Sequence, residues 1–190
     1  MRLFIAIDLP TDIRDALAAV QRNLKPITNT ARWVAPESIH LTLKFIGEMR
    51  EEKIRDIDAA LAGLRWNPFT MAVHGAGFFP GTRSPRVFWV GLQSPIISAL
   101  AEEIDTRMER CGLEREKRAF RPHLTLARAR DMRMDSSLVA AAAQYENYDF
   151  GSFTVDRLYL FQSTLRPAGA VYNKLKEYLL ESRSPSAGTR

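Results

Sequence analysis

A four-residue string, His-Leu-Thr-Leu, occurs twice in this chain, as His40-Leu41-Thr42-Leu43 and as His123-Leu124-Thr125-Leu126. The chain has only 3 histidines, so two of them share one local setting. In an extended strand successive side chains point to opposite faces. Each string therefore sends His and Thr to one face and two leucines to the other. The leucines anchor a core, and the polar pair looks outward together. A fold that carries this pair twice is expected to use both in one site, lined by two imidazoles and two hydroxyls.

The remaining residues restrict what surrounds such a site. At 190 residues, 46% hydrophobic and 26% charged, the chain has the balance of an ordinary soluble globular domain. No run approaches the ~20 apolar residues of a membrane span, so no membrane partner is expected. The opening Met1-Arg2-Leu3-Phe4-Ile5-Ala6-Ile7-Asp8 carries an acid too early for a secretion signal and reads as a first strand. The single Cys111 excludes an intrachain disulfide and fits a reducing compartment, so a cytoplasmic location is expected. Its position on the apolar face of an expected helix suggests a buried thiol. A net charge of +5 and a pI of about 9.6 favour a polyanionic partner, a nucleic acid or a phosphorylated small molecule.

Periodicity divides the chain into two halves with one order of elements. Strand 2–9, helix 11–24, motif strand 39–47, helix 51–64 and strand 69–79 make the first. Strand 86–92, helix 94–111, motif strand 123–129, helix 136–145 and strand 150–161 make the second. A last helix is expected from about Ala170 to Leu180, with Val171, Leu175 and Leu179 inward. The stretch 181–190, rich in Ser, Pro, Gly and Arg, reads as a flexible tail. Phe4 precedes His40 by 36 residues and Phe88 precedes His123 by 35, so the registers of the halves nearly agree. This implies an internal duplication over about 1–80 and 86–161, within one bilobal domain spanning 1–180. Packing about a pseudo-twofold axis would bring the motif strands together across a cleft.

Two histidines facing one reacting atom can serve as general acid and general base. The threonines can donate to phosphoryl oxygens as charge builds on them. Lys44, by strand parity on the face of His40 and Thr42, and Arg121, two residues before His123, are candidates for added positive charge. Arg128 falls on the opposite parity from His123 unless the strand bends. A metal site is a poorer reading, because two histidines without nearby Cys or a His-Glu-x-x-His string leave the ligand set short. Neither a nucleophile elbow nor a Walker-type loop is present. His74 lacks a Thr partner and reads as structural or surface-exposed.

The pair of strings resembles the His-x-Thr-x signature of the two-histidine phosphoesterases. The longer contexts, Arg32-Trp33-Val34 through His40 to Glu48 and Phe120-Arg121-Pro122-His123 to Arg128, are similar to the two motifs of the RNA 2′,3′-cyclic phosphodiesterases, also called 2′-5′ RNA ligases. The opening Arg2 to Ile7 and the segment from Leu160-Phe161-Gln162-Ser163 to Tyr172 also fit, with Ala170 where proline is expected. The resemblance implies an α+β fold of two pseudo-symmetric lobes, with mainly antiparallel sheets flanked by helices around a central cleft. It implies opening of a terminal 2′,3′-cyclic phosphate on RNA to a 2′-phosphate, driven by ring strain and without a cofactor, with 2′-5′ ligation as the reverse step. It further implies His40 as proton donor to O3′ and His123 as proton acceptor from water. A monomer acting on RNA ends that carry a 2′,3′-cyclic phosphate is expected. Two rivals remain at this point: a phosphodiesterase of small cyclic nucleotides, and a non-catalytic RNA end-binding protein. The basic loop Gly81-Thr82-Arg83-Ser84-Pro85-Arg86 leans toward RNA.

Overall fold

A computed structural model describes residues 1–166 and 169–181. In chain order the elements are β1 (Arg2–Asp8), α1 (Thr11–Leu24), β2 (Ala31–Trp33), β3 (His40–Glu48), α2 (Ile54–Ala62), β4 (Phe69–Phe79), β5 (Val87–Gln93), α3 (Ile97–Arg110), β6 (His123–Ala129), α4 (Ser136–Ala142), β7 (Asp149–Val155), β8 (Arg157–Arg166) and β9 (Gly169–Leu179). The α+β class holds, with two antiparallel sheets, of order β3-β1-β8-β9 and β2-β6-β5-β4-β7.

The helices form where apolar residues recur at helical spacing. In α1, Ile13, Leu17, Val20 and Leu24 are buried on one face, and in α3 Ile97, Leu100, Ile104 and Met108 do the same. α4 starts at Asp135, whose side chain accepts the Leu138 N–H at 3.0 Å. α1 packs on β7 and α4, while α3 packs on β3 and on α2, which also touches β9. The buried faces join in one core that includes Leu3, Ile5 and Ile7 from β1 and Phe88, Val90 and Leu92 from β5.

The halves expected at 1–80 and 86–161 do not coincide with the sheets. β1 and β3 are joined by β8 from the second half, and β5 and β6 by β4 from the first. Each half lends its last long strand to the other. The expected strand 150–161 is broken at Asp156 into β7 and β8, which lie in different sheets.

The helix expected at about 170–180 is a strand. β9 pairs with β8 from Arg157↔Leu179 to Arg166↔Gly169 and forms one edge of its sheet. Val171, Leu175 and Leu179 satisfy a helical spacing, but Val171 and Tyr172 favour strand and β8 offers a continuous partner. Lys174, Lys176 and Glu177 suit an exposed edge. Cys111 lies just past the end of α3, packed against the core but half-buried rather than buried, with Sγ 3.6 Å from the Asp56 carbonyl. The tail expectation falls, from residue 182 onward, outside the described residues.

Candidate active site

The motif strands β3 and β6 belong to different sheets, yet they come into contact with each other. Along β3 the burial reads His40 half-buried, Leu41 buried, Thr42 half-buried, Leu43 buried; along β6 His123 to Leu126 repeat that order. The alternation read from the two strings is therefore present in both strands, with each His-Thr pair on the face opposite its leucines.

The duplication has a constant offset of 83 residues. Thr42 pairs with Ala6 and Thr125 with Trp89, while His40 pairs with Asp8 and His123 with Gly91. The sequence register, Phe4 against Phe88, is thus one residue off. Phe4 corresponds to Val87, and Phe88 to the core residue Ile5. The offset extends to a backbone contact: His40 Nδ1 donates to the Ser38 carbonyl at 2.8 Å, and His123 Nδ1 donates to the Arg121 carbonyl at 2.6 Å. A carbonyl can only accept, so each ring holds its proton on Nδ1 and leaves Nε2 as the working nitrogen.

Each motif strand also carries a bulge at the same place. Ile5 faces Lys44 while Ala6 faces Thr42, so Leu43 is the extra residue; Phe88 faces Ala127 while Trp89 faces Thr125, so Leu126 is its counterpart. A bulge reverses parity beyond it. Lys44, expected beside Thr42, is instead buried on the core side, ion-paired with Asp105 and donating to the Glu114 carbonyl at 2.5 Å. Burial raises the Asp105 carboxyl, but the Lys44 ammonium and the Glu116 N–H outweigh it and hold the group below its ordinary range. Lys44 therefore supplies no charge to the cleft. The same device turns Arg128 outward, on the face of His123 and Thr125. Arg121 is exposed, and its carbonyl rather than its guanidinium makes the contact that orients His123.

The two imidazoles sit in unlike surroundings. His40 stacks on Phe4 at 4.7 Å, lies 5.8 Å from Phe161 and meets Tyr172 edge-on at 5.1 Å. Burial pushes its pKa down to about 4; the Ser38 carbonyl and the Asp8 charge oppose this, and Arg14 and Arg128 add to it. His123 meets Phe79 edge-on at 5.0 Å, and Phe79 in turn stacks on Trp89. Burial lowers its pKa too, against the Arg121 carbonyl and together with the Arg128 charge. Arg128 is thus near enough to act on both rings. Beside His40 a cavity of about 330 Å³ is lined by Asp8, Glu37, Phe161, Tyr172, Asn173 and Lys174. Asp8 is held by Arg14 at 2.6 Å and Lys174 at 2.5 Å.

Asp8, Arg14 and Lys174 were not singled out from sequence, and Phe4, Phe161 and Tyr172 were named only in the register and the resemblance, with no role in the site. The signal for Asp8 was present, because Phe4, Ala6 and Asp8 alternate on one face of β1. Only the pairing of β1 with β3 shows that this is the face of His40. Lys174, and the approach of Tyr172 to His40, were hidden by reading β9 as a helix. His74 is half-buried on β4, opposite Asp149 of β7. Among the described residues no three His, Cys, Asp or Glu side chains are grouped to hold a metal ion, and no helix is long and apolar enough to cross a membrane.

Comparison with known proteins places this geometry. The family described as LigT like Phosphoesterase matches twice, over residues 7–89 and 90–172, so each match contains one motif strand. An RNA 2′,3′-cyclic phosphodiesterase of Methanothermobacter thermautotrophicus is 34% identical over 183 residues, which is 95% of this chain and 99% of that protein. Its Escherichia coli namesake is 32% identical over 181 residues, 94% of this chain and 96% of that one. A crystal structure from Thermus thermophilus superposes with a TM-score of 0.81 at 31% identity, covering 97% of this chain and 100% of its own. Escherichia coli LigT complexed with 3′-AMP superposes at 0.76 with 30% identity, covering 94% and 97%. With both halves matched and near full-length relatives above 30% identity, the chain belongs to the LigT-like phosphoesterase family.

Proposed function

We infer that this protein is an RNA 2′,3′-cyclic phosphodiesterase, a hydrolase that opens a terminal cyclic phosphate. The observation that carries the reading is the pair of His-x-Thr strands, each with Nδ1 tied to a backbone carbonyl and Nε2 left free. His123 Nε2 takes a proton from water, whose oxygen forms a bond to phosphorus as the P–O3′ bond breaks. His40 Nε2–H gives its proton to the departing O3′, and the product is a 2′-phosphate beside a 3′-hydroxyl. Thr42 and Thr125 donate to the non-bridging oxygens as negative charge builds there. The sequence strings treat the two histidines alike, but their neighbours do not. Asp8 stands opposite His40, where Gly91 stands opposite His123. Asp8 favours the His40 imidazolium, although burial outweighs it in the free protein, and this difference in surroundings is what supports His40 as the acid.

In this reading Arg121 and Arg128 contact phosphate at the rim, catalysis needs no metal, and the monomer acts on RNA ends in the cytoplasm. Run backwards, with a 5′-hydroxyl in place of water, the same step makes a 2′-5′ linkage. The test is hydrolysis of a dinucleotide 2′,3′-cyclic phosphate in EDTA, with the product assigned by phosphorus NMR. Turnover should persist in EDTA. His40→Ala and His123→Ala should each lose at least ~10² in rate, the usual contribution of one general acid or base. Near-normal turnover in either folded variant overturns the mechanism. A 3′-phosphate product overturns the assigned polarity alone.

A further inference from the structure

Arg32 and Arg128 stand directly opposite each other across the β2–β6 pair. Side chains so placed share a face with Cβ atoms about 5 Å apart, and like charges there are destabilising. Both arginines are exposed. Among the described residues neither they nor Arg86 is in an ion pair, whereas Arg14, Arg107 and Arg157 each hold a carboxylate. Arg86 and Arg128 line a groove of about 610 Å³ together with Val87, Ala129, Asp131 and Met132. Asp131 is the one carboxylate in that lining, against two guanidinium groups. Met132 is 80% exposed and offers the groove an apolar surface of the kind a nucleobase covers. An anion bound between these guanidinium groups would offset their mutual repulsion. Arg128 also disfavours protonation of both imidazoles, an effect that an intervening phosphate would counter.

We propose that this groove, with Arg32 opposite Arg128 at its side, is a second phosphate subsite, in which the three arginines hold the phosphodiesters just upstream of the cyclic end. The proposal rests on the phosphodiesterase reading and adds a substrate class to it: RNA strands of several nucleotides rather than mononucleotide cyclic phosphates. The guanidinium forks suit phosphate oxygens and read no base, so selection is by chain length and not by sequence. Arg128 lies five residues past His123 with one of them bulged, about 13 Å along the strand at ~3.3 Å per residue. Its backbone is therefore displaced from His123 along β6, toward the groove.

The experiment compares kcat/KM for a mononucleotide 2′,3′-cyclic phosphate with that for a tetranucleotide ending in the same cyclic phosphate. The unmodified protein should prefer the tetranucleotide by at least ~10-fold, as a single charge-assisted contact of ~1.4 kcal/mol would give. The Arg32→Gln/Arg86→Gln variant should lose that preference while still turning over the mononucleotide. A tetranucleotide whose internal phosphodiesters are neutral methylphosphonates should lose the same advantage, with no further loss in the variant. Rising salt should erode the preference with a slope reduced in the variant. Equal loss on both substrates, no preference in the unmodified protein, or full preference for the methylphosphonate chain each overturns the subsite. Hydrolysis of neither substrate by the unmodified protein overturns the phosphodiesterase reading itself.

Discussion

A buried imidazole with a pKa of about 4 is a poor acid for a reaction near neutrality until something restores its proton. In the proposed mechanism the phosphate does this, because an anion placed between the rings favours their charged forms. Substrate binding is therefore expected to take up a proton at pH 7, where both histidines of the free protein are neutral. Calorimetry of an unreactive nucleotide analogue in buffers of different ionisation enthalpy measures this directly, and a buffer-independent heat would contradict it. The sign carries into kinetics. kcat/KM reports the free protein, so its bell should peak below the ordinary histidine value of 6.5. kcat reports the complex, so its optimum should lie at higher pH than that of kcat/KM. Asp8 is the side chain that separates the two rings. In Asp8→Asn, His40 loses the carboxylate and keeps the fields of Arg14 and Arg128. Its kcat/KM at pH 7 should fall up to about tenfold for each further unit of lowering, with the limb governed by His123 unmoved.

At the scale of single strands, one inserted residue decides which side chains share the face of the two His-Thr pairs. His40, Thr42, His123 and Thr125 were legible because four residues of regular alternation place them, and the bulges come only afterwards. Lys44 and Arg128 lie past Leu43 and Leu126, and simple parity gives each the wrong face. No residue type announces these bulges, since the extra position is an ordinary leucine in both. The reading of β9 failed for a related reason. Its apolar spacing is compatible with a helix, and only the presence of β8 as a partner settles the matter. The correction at Lys44 has a measurable consequence. Lys44→Met leaves Asp105 buried beside Arg115 without its main partner, and a loss of about 3 kcal/mol in unfolding free energy is expected. Lys44→Met/Asp105→Leu should recover most of that loss. Chemical denaturation of both variants tests the point. A change confined to KM, with stability intact, would instead return Lys44 to the substrate.

For the molecule as a whole, element order was legible and element partnership was not. Periodicity shows that two similar units follow each other, but it cannot show that each completes its sheet with a strand of the other. With β8 between β1 and β9, and β4 between β5 and β7, neither sheet stands without both halves. The two lobes should therefore unfold together. Native-state amide exchange of β1 and β5 should report one common opening free energy. Two well-separated values would mean that the lobes are independent.

Exchange of strands also sets the order of events at the ribosome. The first sheet begins with residues 2–8 but waits for residues 157–166 before β1 has neighbours on both sides. His40 emerges well before Phe161 and Tyr172, which enclose it. A nascent chain thus holds both histidines long before it holds a competent cleft. A chain interrupted before β8 carries the two histidines without the aromatic residues that enclose His40.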